Sequence, residues 1–368
     1  MNSTVWFRGK GRARRQPRAA PWRVPCLVLL ALFIFSAPAV TQDLNIIRVG
    51  TGSTAGTYFP VGGLIANAIS NPPGSRPCDR GGSCGVPGLI AVAQSTAGSV
   101  ENIRAVDGGV MEMALSQADV AYWAYYGTGS FEGDARRSSL RALANLFPEN
   151  IHLVARANSG IETLADLKGK TISIGGPLSG SQIDAKLIMS AFKIRFEDLK
   201  MVDLDIEEST DALVTGDIDA FFYVSGAPAL AISDLAERVP LHFVPIAGPI
   251  AEKLVKIFPF FVPGVIPAGV YGDNPETPTL DVGAIMVVSA EMDESLAYGI
   301  TRAIWHPNTA AMYATGHPRA ALMSLDRATR GIGFRLHRGA VRYYAEQGIL
   351  PAPADGQDEA ADAPLAIR

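Results

Sequence analysis

The sequence is poor in the residues and motifs that common hydrolases and metal-dependent enzymes need. Its 368 residues include three cysteines and five histidines, and the histidines are scattered without the spacing of metal ligands. The pattern G-x-S-x-G occurs once, as "GGSCG" in the insertion that carries Cys78 and Cys84, without the strand-to-helix pattern of a nucleophile elbow, and no H-E-x-x-H motif occurs. The sequence therefore predicts no catalytic residue and no metal ligand. Paired carboxylates among the many Asp and Glu residues keep an exported α/β enzyme open as an alternative.

A complete nucleotide-binding loop is also missing. In "VGTGSTAGTYF" the glycines follow G-x-G-x-x-x-G, one residue away from the dinucleotide fingerprint. About 20 residues further on, that fingerprint has an acidic residue for the ribose. Here the chain reads "NPPGSRPC" in that region. The two later glycine loops, "AQSTAGSVEN" and "SIGGPLSGSQID", contain no G-K-[ST] ending. We predict no cofactor.

Acidic residues are absent from the first 42 residues, which carry seven Lys and Arg residues before the apolar run "CLVLLALFIFSAPAV". This order, with the A-x-A site at Ala37–Ala39, is typical of a secretory signal. We predict a signal peptide over residues 1–39 and export to the periplasm. A membrane anchor is the alternative, but the uncharged run is shorter than the ~20 residues that a span needs.

The remaining chain is acidic. Subtracting the seven basic residues of the signal from 32 leaves 25 basic against 36 acidic residues, a net charge of about −11. Such a charge disfavours nucleic acid as a partner. The two remaining cysteines, Cys78 and Cys84, lie six residues apart, and an oxidising compartment favours a disulfide between them.

From residue 44 onward, short β-branched runs alternate with helical patterns, which indicates an α/β fold. We predict two α/β lobes, with lobe 1 at 44–147, lobe 2 at 148–284 and a return to lobe 1 at 285–350. The Pro/Ala/Asp-rich tail at 351–368 is predicted to be disordered. Because the chain crosses twice between the lobes, we expect a ligand cleft between them that closes about a hinge.

Three glycine-rich loops each join a strand to a helix. The unpaired N–H groups at a helix start and the helix dipole favour a negative charge there. For any one of these loops alone, ordinary capping by Ser or Thr is the better explanation. Three of them at strand ends, two in lobe 1 and one in lobe 2, instead predict a site for a small carboxylate.

These motifs, in the same order, resemble the TAXI family of TRAP transporter receptors. The resemblance rests on "VGTGSTAGTYFPVGGLIANAI", "AQSTAGSVENIRAV", "ALSQADVAYWAYYGTG", "LADLKGKTISIGGPLSGS" and "GDIDAFFYVSGAPA", and it extends to "LHRGAVRYYAEQGI". It implies a fold like that of type II periplasmic binding proteins. It also implies a monomeric receptor that delivers an acidic amino acid or an organic anion such as 2-oxoglutarate to a membrane permease. The same fold also serves ABC importers and sensor systems, which is the alternative.

The resemblance assigns a ligand-binding role to positions within the matching motifs. The implied ligand-binding residues are Ser53, Thr57, Tyr58, Thr96, Gly98, Ser99, Asn102, Gln117, Pro177, Ser179, Gly180, Ser181 and Tyr223. Tyr271 is a weaker candidate. An arginine dedicated to the ligand's carboxylate cannot be identified, because Arg104 falls in a helical pattern and Arg156 falls near the hinge. The insertion that carries the two cysteines is expected to alter the rim of the cleft.

Overall fold

The computed structural model describes residues 44–351, so the predicted signal peptide and residues 352–368 of the predicted tail lie outside the described residues. The described residues contain ten α-helices. These are α1 (Tyr58–Ile69), α2 (Ser99–Asp107), α3 (Ala118–Tyr126), α4 (Gly180–Ala191), α5 (Ile206–Thr215), α6 (Leu230–Arg238), α7 (Pro249–Ile257), α8 (Glu294–Ile304), α9 (Pro307–Gly316) and α10 (Arg338–Glu346). None of them is both long and apolar enough to cross a membrane.

The same part of the chain contains twelve β-strands. These are β1 (Asn45–Gly50), β2 (Ser70–Asn71), β3 (Val86–Pro87), β4 (Leu89–Gln94), β5 (Met113–Gln117), β6 (Leu140–Arg156), β7 (Thr171–Ser173), β8 (Lys200–Val202), β9 (Ala220–Ser225), β10 (Leu241–Phe243), β11 (Phe261–Ile266) and β12 (Thr277–Ser289). Strands β2 and β3 pair only with each other, and the other ten form one large sheet. The predicted α/β class is confirmed.

The large sheet has two parallel halves joined by two long antiparallel strands. In the first half β1 lies between β4 and β5, and all three are parallel. In the second half β7 lies between β8 and β9, again all parallel. Strands β12 and β6 lie between the halves in the order β4-β1-β5-β12-β6-β9-β7-β8. The limits predicted for the lobes, at residues 147 and 284, remain predictions.

Strand β6 carries the chain from the first half to the second without interruption. Its residues Leu140–Asn150 pair with β12, and Asn150–Ala155 pair with β9. The sequence predicts a strand at "LRALANLF" and a crossing between the lobes near residues 147–156, whereas the structure has one strand through both. Pro148 pairs with Gly283 of β12 next to a register shift in the ladder, so the strand continues past it.

Local sequence signals explain where the helices around the sheet begin and end. Helix α5 begins with a capping box, in which the Asp205 side chain accepts a hydrogen bond from the Glu208 N–H group and the Glu208 side chain accepts one from the Asp205 N–H group. It ends at Gly216, whose φ of 85° is the left-handed conformation that favours glycine. These signals hold the start of α5 at the end of β8.

Several elements differ from the sequence prediction. The segment expected to form a helix before β7 makes a single 3₁₀ turn at Leu164–Leu167. Helices α7 and α9 and strand β11 were not predicted. Strand β11 contains Pro263 and Gly264, and it pairs with β12 alone, an edge position that tolerates both residues.

Candidate functional site

A cavity of about 540 Å³ lies between the two halves of the sheet. Its walls are formed by the segments that follow the carboxyl ends of β1, β4 and β5 in the first half, and of β7, β8 and β9 in the second. In open α/β sheets this edge is where ligands bind. The volume falls within the ~300–1,000 Å³ that is usual for small-molecule pockets.

Most of the sequence-predicted ligand residues lie at this cavity. Its lining includes Ser53, Thr57, Tyr58, Thr96, Gly98, Ser99, Gln117, Pro177, Ser179, Gly180, Ser181 and Tyr223. The fold thus brings together residues that are up to 170 positions apart in the sequence. Their contact with a ligand remains a prediction.

Asn102 and Tyr271 lie elsewhere. Asn102 is fully buried, and its amide donates to the carbonyl oxygens of Thr51 (2.6 Å) and Leu115 (2.7 Å). It therefore connects the loop that follows β1 to strand β5. The hydroxyl of Tyr271 accepts a hydrogen bond from the Ala229 N–H group (2.9 Å) and lies 3.1 Å from His152 Nε2. Neither side chain lines the cavity, and both form hydrogen bonds with backbone groups instead.

Direct hydrogen bonds join the two halves across the cavity. The hydroxyl oxygen of Thr57 lies 2.7 Å from that of Ser225 and 3.0 Å from the carbonyl oxygen of Gly226. The Ala231 N–H group donates to the carbonyl oxygen of Ala55 (3.2 Å). Because such bonds require the halves to touch, the structure is a closed arrangement.

The start of α2 is not free to bind an anion. The N–H groups of Val100 and Glu101 donate to the carbonyl oxygen of Leu178 in the second half, at 3.1 and 3.3 Å. Leu178 has a φ of 66°, a conformation that non-glycine residues rarely adopt. A protein carbonyl thus occupies the place that the sequence argument gave to a ligand carboxylate, and the expectation for this helix start is corrected.

The start of α4 differs from that of α2 because it keeps N–H groups at the cavity, although the Ser179 hydroxyl is bonded to backbone groups. The Ser179 hydroxyl donates to the Gly176 carbonyl (2.7 Å) and accepts from the Gln182 N–H group (3.2 Å). The Ser181 hydroxyl accepts from the Val224 N–H group (2.9 Å), so its own hydrogen remains to be donated. First-turn N–H groups have no partner within their helix. Gly180 and Ser181 place two of these groups at the cavity.

Three carboxyl groups form what we call the buried acid cluster: Asp119, Glu149 and Asp184. Each side chain is at most 1% exposed. The Tyr58 hydroxyl donates to Glu149 Oε2 (2.5 Å), and the Gln117 amide donates to Asp184 Oδ2 (2.5 Å). Burial raises the pKa of Glu149 to about 8 and that of Asp119 to about 7. Burial, followed by the charge of Asp119, raises the pKa of Asp184 well above its usual range.

Three further carboxylates form what we call the acidic rim: Asp205, Glu207 and Glu208. They belong to the start of α5, they are exposed, and they line the cavity. Glu207 accepts a hydrogen bond from the Ser53 hydroxyl in the first half. The lining of this cavity contains no Lys, Arg or His among the described residues.

Sequence reasoning missed both acidic groups. Glu149 sits in "FPENIH", inside a strand where an acid is unexpected, and this was the one available signal. Asp119, Asp184 and Glu207 lie on helices, where a solvated face is the default interpretation. Arg319 was also missed. It is buried, but it binds the carbonyl oxygen of Ala227 (2.6 Å) and Asn150 Oδ1 (2.7 Å), and it does not line the cavity.

The predicted disulfide between Cys78 and Cys84 is confirmed. Its loop lies against the start of α9, where His306 Nε2 is 3.7 Å from Cys78 Sγ and the Asn308 amide donates to Cys84 Sγ (3.4 Å). One ring nitrogen of His306 and the sulfur atoms of Cys78 and Cys84 lie within 4.8 Å of one another. The disulfide, however, leaves no thiolate to bind a metal. No residue of the described stretch 71–88 lines the cavity, so the expected effect on its rim is wrong.

Comparison with known proteins places the chain in a family. The model of the NMT1-like family matches residues 49–348, so the chain belongs to the NMT1-like family. Similar solved structures include the substrate-binding protein of an amino acid ABC transporter (17% identity, 74% of this chain, 97% of that one, TM-score 0.42). They also include a putative L-cystine ABC transporter from Listeria monocytogenes (12%, 76% and 98%, TM-score 0.46).

A third similar structure is the periplasmic aliphatic sulphonate binding protein from Escherichia coli (12% identity, 85% of this chain, 91% of that one, TM-score 0.42). At these identities and TM-scores, the three likenesses assign no ligand and no transporter to this chain.

Proposed function

We propose that the chain is an exported receptor that binds a small solute in the cavity and delivers it to a membrane importer. The observation that carries this proposal is the cavity itself, since six strand ends from both halves of the sheet supply its walls. A ligand held there touches both halves and therefore stabilises their contact. Binding free energy of this kind drives closure without any chemical step.

The solute class follows from the charges around the cavity. The starts of α1 and α4 point their positive dipole ends at it, which favours a carboxylate. The acidic rim favours a positive group, and no basic side chain lines the described cavity to neutralise it. A zwitterion such as an amino acid satisfies both features. We propose an amino acid, with its carboxylate at the helix starts and its ammonium group towards Glu207.

Two kinds of transporter use receptors of this class. The ordered motifs resemble the TAXI family, whose permeases are expected to use an ion gradient, whereas ABC importers hydrolyse ATP. Uptake of the solute by membrane vesicles that contain a permease encoded next to this protein distinguishes the two kinds of transporter. Uptake that requires an ion gradient supports a TRAP permease, and uptake that requires ATP supports an ABC importer.

Thermal unfolding of the mature chain tests the solute class. L-Glutamate, L-glutamine, 2-oxoglutarate and succinate should be compared, because glutamate and 2-oxoglutarate differ in the ammonium group. A ligand at 100 times its dissociation constant stabilises the folded state by about 2.7 kcal/mol. We expect a rise in Tm with an amine-bearing compound and a smaller one with its amine-free partner. Equal rises would contradict the zwitterion, and turnover of any compound would support the enzyme alternative.

Glu207→Gln supplies the matched variant. The amide oxygen still accepts the hydrogen bond from Ser53, but the negative charge is gone. The preference for the amine-bearing compound should shrink by about tenfold, the ~1.4 kcal/mol that a charge-assisted hydrogen bond adds. An unchanged preference would exclude Glu207 from the solute site.

A further inference from the structure

Two acids from opposite halves of the molecule meet in its interior. Asp119 lies in the first turn of α3, which follows β5, and Asp184 lies in the second turn of α4, which follows β7. Both side chains have 0% exposure. The two carboxyl groups lie close enough that the charge of Asp119 raises the pKa of Asp184. Two neighbouring buried carboxylates repel each other and offer only acceptors, so a proton bound to one of them relieves both costs.

No positive group compensates this pair. The groups facing it are Glu149 from β6, Tyr58 from α1 and Gln117 from the end of β5, and none of these side chains is cationic. No Lys, Arg or His of the described residues forms a hydrogen bond with either acid. The N–H groups of Asp119 and Val120 lie near enough to lower the pKa of Asp119, but neither meets hydrogen-bond geometry with it.

Orphaned oxygen atoms strengthen the case for a bound proton. Both oxygens of Asp119 and Oδ1 of Asp184 are buried and accept no hydrogen bond from an N–H or hydroxyl group among the described residues. An unpartnered buried carboxylate is very costly, whereas a protonated carboxyl group is neutral and supplies the missing donor. We propose that Asp119 and Asp184 form a proton-binding site, and that bringing the two halves together takes up a proton there.

The direction of the pH effect follows from the raised pKa values. In the unfolded chain both acids titrate near their usual pKa of about 3.9 and are ionised above pH 5. In the folded chain burial raises the pKa of Asp119 to about 7 and raises that of Asp184 well above its usual range. The folded state therefore binds more protons between pH 5 and 7, and the stability that this proton supplies is lost as the pH rises.

The test is the equilibrium constant for unfolding of the mature chain, measured with urea from pH 5 to pH 8. Wild type is compared with Asp119→Asn and Asp184→Asn, and Asp203→Asn at an exposed loop position serves as the control. One extra proton in the folded state raises the unfolding constant about tenfold per pH unit. Between pH 5 and 7 we expect each pair variant to lack one such proton. Its unfolding constant should therefore rise by about tenfold less per pH unit than the constants of wild type and the control.

The result is the difference in pH dependence of the unfolding constant between the four proteins, and not the wild-type curve alone. Burial lowers the pKa of His152 to about 4, so His152 contributes the opposite slope below pH 6.5 in all four proteins. Equal slopes in wild type and both pair variants would overturn the proposal. So would a wild-type unfolding constant at pH 8 that falls with NaCl but not with choline chloride, because a sodium ion would then hold the pair. The measurement needs no solute, so its result is independent of the proposed function.

Discussion

The buried acid cluster and the acidic rim place the same functional group in two different environments. The three buried acids are at most 1% exposed, whereas the three rim acids are exposed at the start of α5. Water stabilises a charged rim carboxylate, but the interior cannot, so the interior favours the protonated form. The difference shows that burial, and not residue type, decides which acids hold protons and which present charge to a solute.

The two groups also differ in what they connect. In the buried cluster, donors from other elements, Tyr58 and Gln117, reach Glu149 and Asp184, and the second of these bonds crosses between the halves. At the rim, Asp205 and Glu208 cap their own helix, and only Glu207 is bonded across the cavity, by Ser53. The buried cluster should therefore control stability and its pH dependence, while the rim should control solute preference.

The largest expected effect is the pH dependence that Glu149 supplies. Burial raises its pKa from 4.5 to about 8, so the folded state holds a proton that the unfolded chain has released. The resulting stability is fully present below pH 4.5 and is lost as the pH rises to about 8, at about 1.4 kcal/mol per pH unit. Glu149→Gln, followed by urea unfolding from pH 5 to pH 9, should remove this slope.

The matched variant for that comparison is Glu207→Gln at the rim. This variant should keep the pH dependence of unfolding that wild type shows, because Glu207 is exposed to water in the folded chain as it is in the unfolded chain. Equal loss of slope in both variants would mean that exposure does not separate the two groups of acids.

Close packing beside the buried cluster gives the next largest effect. A Cβ atom at Gly180 would lie 1.6 Å from Gln117 Oε1 and 3.0 Å from Ser99 Oγ. The Gln117 side chain cannot easily move away, because its amide is bonded to Asp184. Gly180→Ala should therefore lower the free energy of unfolding by about 1–3 kcal/mol, as overpacking does, and weaken closure in small-angle scattering.

Gly63→Ala is the control for this substitution. Gly63 lies within α1, and a Cβ atom there would meet nothing within 4 Å. Alanine should stabilise the helix by about 0.5–1 kcal/mol. If Gly180→Ala stabilised the protein as much as Gly63→Ala, the close contact between α4 and Gln117 would not exist in solution.

The sequence predicted the alternating elements because their patterns are local. Strand β1 and helix α4 were located within one residue, and α10 was located with its start exact and its end three residues too late. The continuity of β6 was missed, because pairing with β12 and β9 decides it and neither partner is near in sequence. Strand β11 was missed for the same reason, since its proline and glycine are acceptable only at a sheet edge.

The cavity was predicted in part because its loops carry local signals. Small and hydroxyl residues before a helix indicated the segments around Ser53 and Ser179. The partner of each helix start was not predictable, however, since Leu178 lies 78 residues from Val100 and 77 from Glu101 along the chain. The roles of Asp119, Glu149 and Asp184 also depend on burial, which follows only from the assembled halves.

The smallest expected effect is at the rim. Ser53 donates a hydrogen bond to Glu207 and accepts one from the Ala55 N–H group (3.0 Å), so Ser53→Ala removes one bond between the halves. Glu207 is exposed, and water replaces the lost donor, so the free energy of unfolding should change by no more than about 0.5 kcal/mol. Thr54→Ala, at an exposed neighbouring position, is the control for urea unfolding at pH 7. A loss above about 1 kcal/mol in Ser53→Ala alone would show that the rim also holds the halves together, and the division of roles between the two groups of acids would fail.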